Sequence, residues 1–181
     1  MIDELRNSKM SQSEIINKIY EDYLDVVAPL TIQYEDITNA FPTGILNEIR
    51  DVMFHIAKAE SGRLDKGEDI DGEITKAKRH MTRAMRDCYK YICAAMENIY
   101  QNFQVKQKQL CNKIKTEQDK NNYFLVEKTH FESMQLLTNA REMEIDPLSK
   151  EKDEEIYSAY KIAVENYKKL VENIYKYYSK K

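Results

Sequence analysis

The sequence predicts an all-α protein, a helical bundle of long antiparallel helices that ends in a long C-terminal helix. Three observations carry this. Only four Gly and three Pro occur in 181 residues, which leaves few hairpin turns. Lys, Glu, Ile, Tyr, Met and Ala are abundant, and the aliphatic and charged residues among them favour helix. Apolar residues recur at steps of three and four along most of the chain, the period of a helix with one buried face. With 42% hydrophobic and 33% charged residues, the composition is that of a soluble globular protein rather than a disordered one. The length fits one domain, residues 1–181, able to bury a core without disulfides or metal. Within it the reading places a core at about 10–118, and a C-terminal helical extension over 119–181 that packs on the core or on a partner.

The first helix begins at Ser11 or Ser13 and carries Ile15, Ile16, Ile19, Tyr20, Tyr23, Leu24 and Val27. Pro29 kinks or ends it. "LTIQYEDITNAF" continues to Phe41, "PTG" breaks the chain, and Thr43 caps the next helix. That helix buries Ile45, Ile49, Val52, Met53 and Ile56, while Phe54 points away and calls for a dimer seam or a further helix on the back face. "SGRLDKGEDIDG", with three of the four glycines, is an exposed acidic connection. After Gly72 a very long helix carries Ile74, Ala77, Met81, Ala84, Cys88, Ile92, Ala95, Ile99, Phe103, Leu110 and Ile114, with Met81, Met85 and Met96 filling the core. It runs to about residue 118 or breaks near Asn121 and Asn122. Another helix spans about Tyr123 to Met143, and Asp146 with Pro147 starts the last. There Ile156, Tyr160, Ala163, Tyr167, Leu170, Ile174 and Tyr177 form a heptad-like seam for a neighbouring helix or a symmetry mate. Tyr160, Tyr167 and Ile174, with Phe54, are the expected interface residues.

Several function classes lose support at once. A net charge of −3 argues against binding nucleic acid over the whole surface, so any such site is local. Cys88, Cys93 and Cys111 lack the spacing of a zinc or redox pair and read as buried or idle thiols. The acidic loop fits no frame of a calcium-binding loop. No glycine-rich phosphate loop, G-x-S-x-G or H-E-x-x-H is present. Neither a metal nor any other cofactor is called for. "MIDELRNSKM" has no apolar core for a signal peptide, and the longest apolar run, "YICAAM", is too short for a bilayer. A cytoplasmic protein with no membrane partner is the expectation.

Two constellations carry chemistry. The first is "RDVMFH", in which Arg50 is followed directly by Asp51 and, after four intervening residues, by His55. Arg50 and His55 lie about 140° apart on an ideal helix. Asp51 and Glu48 share the His55 side, and Asp51 is placed to orient the imidazole or to hold Arg50. The second is the stripe of Lys76, Arg79, Arg83, Arg86 and Lys90, with His80 beside it. It suits an RNA backbone, the acidic loop, a negatively charged partner, or plain solvent. The thirteen tyrosines are better explained by packing than by base stacking.

Arg, then Asn, Asp or His, then His after four to six residues resembles the hallmark of the HEPN superfamily of small helical bundles in toxin–antitoxin, abortive-infection and CRISPR-associated systems. The resemblance extends to "HIAKAESG", the polar loop and "AKRHMTRAMRDCYK" opening a long helix, over roughly residues 10–115. It implies a homodimer or larger homo-oligomer in which Arg and His of two protomers meet and cleave RNA without metal. Arg50 and His55 are then catalytic and Asp51 supports them, while Lys76, Arg79, His80, Arg83 and Arg86 bind RNA. An antitoxin or defence effector is the implied protein partner. Ala57 stands where nucleotidyltransferase-modified members carry Tyr, so that modification is not implied. Members that have lost catalysis supply the alternatives, a helical adaptor or a nucleotide-binding regulator.

Overall fold

The computed structural model describes residues 10–109, 116–145 and 153–179, and every regular element among them is helical. These elements are α1 (Gln12–Asp22), a π-helical turn (Tyr23–Val27), α2 (Ala28–Thr38), α3 (Thr43–Ser61), α4 (Ile70–Gln109), α5 (Glu117–Ile145) and α6 (Asp153–Ser179). The all-α bundle read from the sequence is the observed fold class. No helix of the described residues is long and apolar enough to cross a membrane.

Local chemistry accounts for most boundaries. Ser11 caps α1 in a reciprocal box, its hydroxyl accepting from the Glu14 N–H at 3.3 Å while its own N–H donates to the Glu14 carboxylate at 2.6 Å. Hydrogen bonding from Ser11, its backbone N–H first and its side chain second, holds the Glu14 carboxyl below its usual value. Pro29 neither ends nor breaks the helical path. The π-helical turn before it shifts the pairing, so that the Ala28 N–H reaches Tyr23 O, and this wider turn precedes the ring that a regular i−4 ladder would exclude. The path stops at Asn39, which takes the left-handed conformation at φ 53°. Helix α3 begins at Thr43 itself, so Thr43 is its first residue rather than its cap. Helix α4 begins at Ile70 rather than after Gly72, with Asp69 as its cap accepting from the Gly72 N–H at 2.6 Å, and the acidic connection is correspondingly shorter.

Helix α4 is described as far as Gln109, beyond which the expected Leu110 and Ile114 lie outside the described residues, and α5 already begins at Glu117, running through Asn121 and Asn122. The signal for that start is Thr116-x-x-Asp119. Asp119 N–H donates to the Thr116 hydroxyl at 3.1 Å, and Thr116 N–H donates to the Asp119 carboxylate at 3.3 Å. Cys111, Asp146 and Pro147 lie outside the described residues.

The chain packs as two compact units. One holds the residues up to Pro29 and Thr43–Met85, the other Leu30–Pro42 and the residues from Arg86 onward. In the first unit, Lys58–Glu68, His55–Glu73 and Glu48–His80 pair in reverse order, so α3 runs antiparallel to the start of α4. Ile45, Val52, Ile56, Ala59, Ile74, Ala77, Met81 and Ala84 are buried. Met53, expected in the core, is 53% exposed, because the buried stripe centres on Ile45, Val52, Ile56 and Ala59 and leaves it on the flank. Phe54 does point away and is 57% exposed; among the described residues no further helix covers it.

In the second unit, Lys90–Glu144, Tyr100–Glu127 and Gln104–Tyr123 set α5 antiparallel to α4. Asn166 and Asn173 donate to Thr129 and Ser133, which sets α6 antiparallel to α5. The C-terminal seam is core. Tyr160, Tyr167 and Ile174, read from the sequence as interface residues, are 0%, 1% and 3% exposed within the chain. The physical reason is visible in their partners. Tyr160 donates to Glu144 at 2.5 Å and Tyr167 to Glu97 at 3.1 Å, so each ring packs inside while its hydroxyl stays satisfied. Burial pushes both phenols up. Cys88 and Cys93 are buried and form no disulfide, their thiols pushed up to about 12 by desolvation, which fits inert packing.

Candidate functional site

On α3, Glu48, Asp51 and His55 follow one another at steps of three and four, and on α4 Glu73, Lys76, His80 and Arg83 do the same. Such spacings put each set on one side of its helix. The antiparallel pairing brings the two sets together within one unit, and the contacts alternate in sign. His55 Nδ1 lies 2.7 Å from Glu73 Oε2, and His80 Nδ1 lies 2.8 Å from Glu48 Oε2. The two imidazoles stack between these carboxylates with centroids 5.2 Å apart and planes 25° apart. Neither ring is sealed off. The side chain of His55 is 16% exposed and that of His80 18%.

The carboxylates are themselves anchored by cations. Glu73 is fully buried, and its second oxygen accepts from Lys76 at 2.6 Å. Lys76 first and His55 second hold its carboxyl below the usual range, so it stands as an anion beside the imidazole. Lys76 also reaches Glu68 of the acidic loop at 3.0 Å, and Lys58 pairs with Asp65 and Glu68. Arg83 donates through Nε to Glu48 at 3.2 Å and brings Nη2 within 2.8 Å of His80 Nδ1. With the proton on Nδ1, His55 donates to Glu73 and keeps Nε2 as an acceptor, whereas His80 Nδ1 faces both the Glu48 carboxylate, which only accepts, and the Arg83 guanidinium, which only donates.

Arg50 and Asp51 form a separate pair. Arg50 Nε and Nη2 donate to Asp51 Oδ1 at 3.1 and 3.0 Å, and this contact holds the Asp51 carboxyl low. The Arg50 side chain remains 71% exposed. Asp51 therefore takes the arginine, one of the two roles open to it in the sequence, and Glu73 holds the His55 ring. Asp51 comes only within 3.9 Å of His80 Nδ1.

Glu73 and the pairing of the two histidines were missed from sequence. They lie 18 and 25 positions apart on two different helices, so no spacing along one helix relates them, and only the antiparallel return through the acidic loop makes them neighbours. The signal available was that loop itself, short enough to fold α4 back along α3.

The basic stripe does not act as one surface. Lys76 and Arg83 are paired to acids in this unit, and Arg79 is exposed. Arg86, read as an RNA-facing cation, is only 20% exposed and is engaged by Asp153 and Glu144 in the other unit, where Lys90 also pairs with Glu144. A guanidinium so held has little freedom to meet a phosphate. Among the described residues no group of three or more His, Cys, Asp or Glu converges in a metal-holding arrangement. No family model, curated protein or solved structure matches the chain.

Proposed function

We propose that this protein is a metal-independent endoribonuclease of a prokaryotic defence or toxin–antitoxin system, acting in the cytoplasm. One observation carries the reading. The imidazole of His55 is oriented by a buried, ionised carboxylate while keeping an exposed edge. Such an imidazole suits removal of a proton from a ribose 2′-OH that attacks its own 3′-phosphate. Arginine meets the second requirement, a permanent forked charge for the phosphate oxygens. Arg50, on the exposed side of α3, is available for that role toward a second protomer, as the HEPN resemblance implies, and Arg83 lies beside His80.

The test is incubation of the purified protein with total RNA in excess EDTA, beside His55→Ala and Arg50→Ala variants matched for fold and oligomeric state. Cleavage by wild type and its loss in both variants is expected. Intact RNA in every lane, or equal cleavage by all three, overturns the proposal.

A second reading, a non-catalytic helical adaptor, is favoured by the exposed aromatic side chains of Phe54 on α3 and of Phe124 and Phe131 on α5, each more than half exposed. The adaptor tolerates Arg50→Ala and His55→Ala and loses its partner on substitution of these phenylalanines.

A further inference from the structure

Cleavage of RNA by its own 2′-OH moves two protons. The P–O2′ bond forms as a base removes the hydroxyl proton, and the P–O5′ bond breaks as an acid protonates the departing oxygen, giving a 2′,3′-cyclic phosphate and a 5′-hydroxyl. One imidazole serves only one of these oxygens at a time, because an in-line displacement places them on opposite sides of phosphorus.

We infer that His80 is the second proton-transfer group, so that a stacked His55–His80 pair handles both protons within a single chain. This rests on the ribonuclease reading above. The two rings are 5.2 Å apart at their centroids and nearly parallel, and each is pinned through Nδ1 to its own carboxylate. Neither carboxylate contact uses Nε2, and the two side chains keep 16% and 18% of their surface exposed. Two nitrogens one ring-stack apart, each within roughly 2.6–3.2 Å of its oxygen, bracket one phosphate. The charged groups facing the pair are Glu48 and Asp51 from α3 and Glu73, Lys76 and Arg83 from α4. Two anions contact the imidazoles directly, so a proton held on either ring is compensated. The reaction calls for a proton on one ring and none on the other. That singly protonated state is the one the reaction consumes and restores, base on one ring and acid on the other. Glu48 and Glu73 are positioning residues, and Arg83, 52% exposed beside His80, supplies a cation at the phosphate.

The experiment compares wild type with His55→Asn and His80→Asn, since Asn keeps an N–H near the place of Nδ1 and removes Nε2. The substrates, in EDTA, are a diribonucleotide and uridine 3′-(4-nitrophenyl) phosphate, whose leaving group departs without a proton. On the diribonucleotide each variant is expected to lose at least about 100-fold in kcat/KM. On the nitrophenyl ester the variant lacking the acid recovers most of its rate, and the variant lacking the base does not. Mixing the two variants restores nothing. Wild type shows a bell-shaped pH–rate profile on the diribonucleotide, and each variant loses one limb.

A His80→Asn enzyme within about twofold of wild type overturns the pair and leaves the ribonuclease standing. Equal losses on both substrates in both variants also overturn it, because neither residue then protonates the leaving group. Activity regained on mixing overturns the single-chain arrangement. A wild type that cleaves neither substrate defeats the ribonuclease reading, and the pair with it.

Discussion

At the scale of single residues, the site depends on charges placed where water is scarce. Glu73 is the clearest case, a fully buried carboxylate shared by Lys76 and His55. Its carboxyl titrates below the ordinary value of 4.5, so the stability it contributes is present above that value and is lost as pH falls through the lower folded one. Glu73→Gln has no such carboxyl. Between about pH 5 and about pH 3 its urea midpoint is therefore expected to fall less than that of wild type. A variant falling as steeply as wild type would place the acid sensitivity elsewhere. In the same unit, Ile56 is 2% exposed, and Ile56→Ala is expected to cost about 3 kcal/mol by the same measurement. Arg50, Asp51 and His55 were legible in the sequence because they lie on one helix at a recognisable spacing. Glu73 was not, because its relation to His55 exists only after two helices pair.

At the scale of elements, helix existence followed from apolar period, and boundaries followed from caps. Ser11 was one of two starts the sequence offered for the first helix, and the structure uses it, closing a capping box with Glu14 that the sequence reading did not name. Thr116 with Asp119 carries the same chemistry and was passed over, because a sparsely apolar stretch reads as a projecting helix end rather than a new beginning. Thr116→Ala is expected to cost about 1 kcal/mol in a denaturation midpoint with little change in spectroscopic helix content. No change at all would mean that packing, not the cap, sets the start of α5. The seam of α6 was legible as a seam but not as to its partner. A heptad-like row of Tyr and Ile packs equally well on its own chain or on another, and what decides is where the hydroxyls find acceptors. Glu144 on α5 and Glu97 on α4 receive Tyr160 and Tyr167. Tyr167→Phe keeps the ring and removes the donor, and is expected to cost about 1 kcal/mol without changing oligomeric state.

At the scale of the whole molecule, the all-α class was legible from composition and period, because a chain with four Gly and three Pro has few ways to turn and long helices must pack on one another. Charge was legible only as a total. The net −3 hides a local arrangement in which most of the stripe cations meet acids, leaving Arg79 and Arg83 as the more exposed ones on α4. Under the proposed function, RNA binding through them is local and salt-sensitive. Arg79→Ala is expected to reduce the slope of log affinity against log salt for single-stranded RNA by about 0.7. An unchanged slope removes Arg79 from the interface. The central claim, that an oriented imidazole drives attack by the ribose 2′-OH, is tested most directly by the chemistry of the ends. The measurement is mass spectrometry of the 3′ termini after digestion of a defined RNA in excess EDTA. The account expects 2′,3′-cyclic phosphates paired with 5′-hydroxyls, formed by wild type and not by His55→Ala. Fragments ending in 3′-hydroxyl and 5′-phosphate, or an RNA left whole, would contradict it.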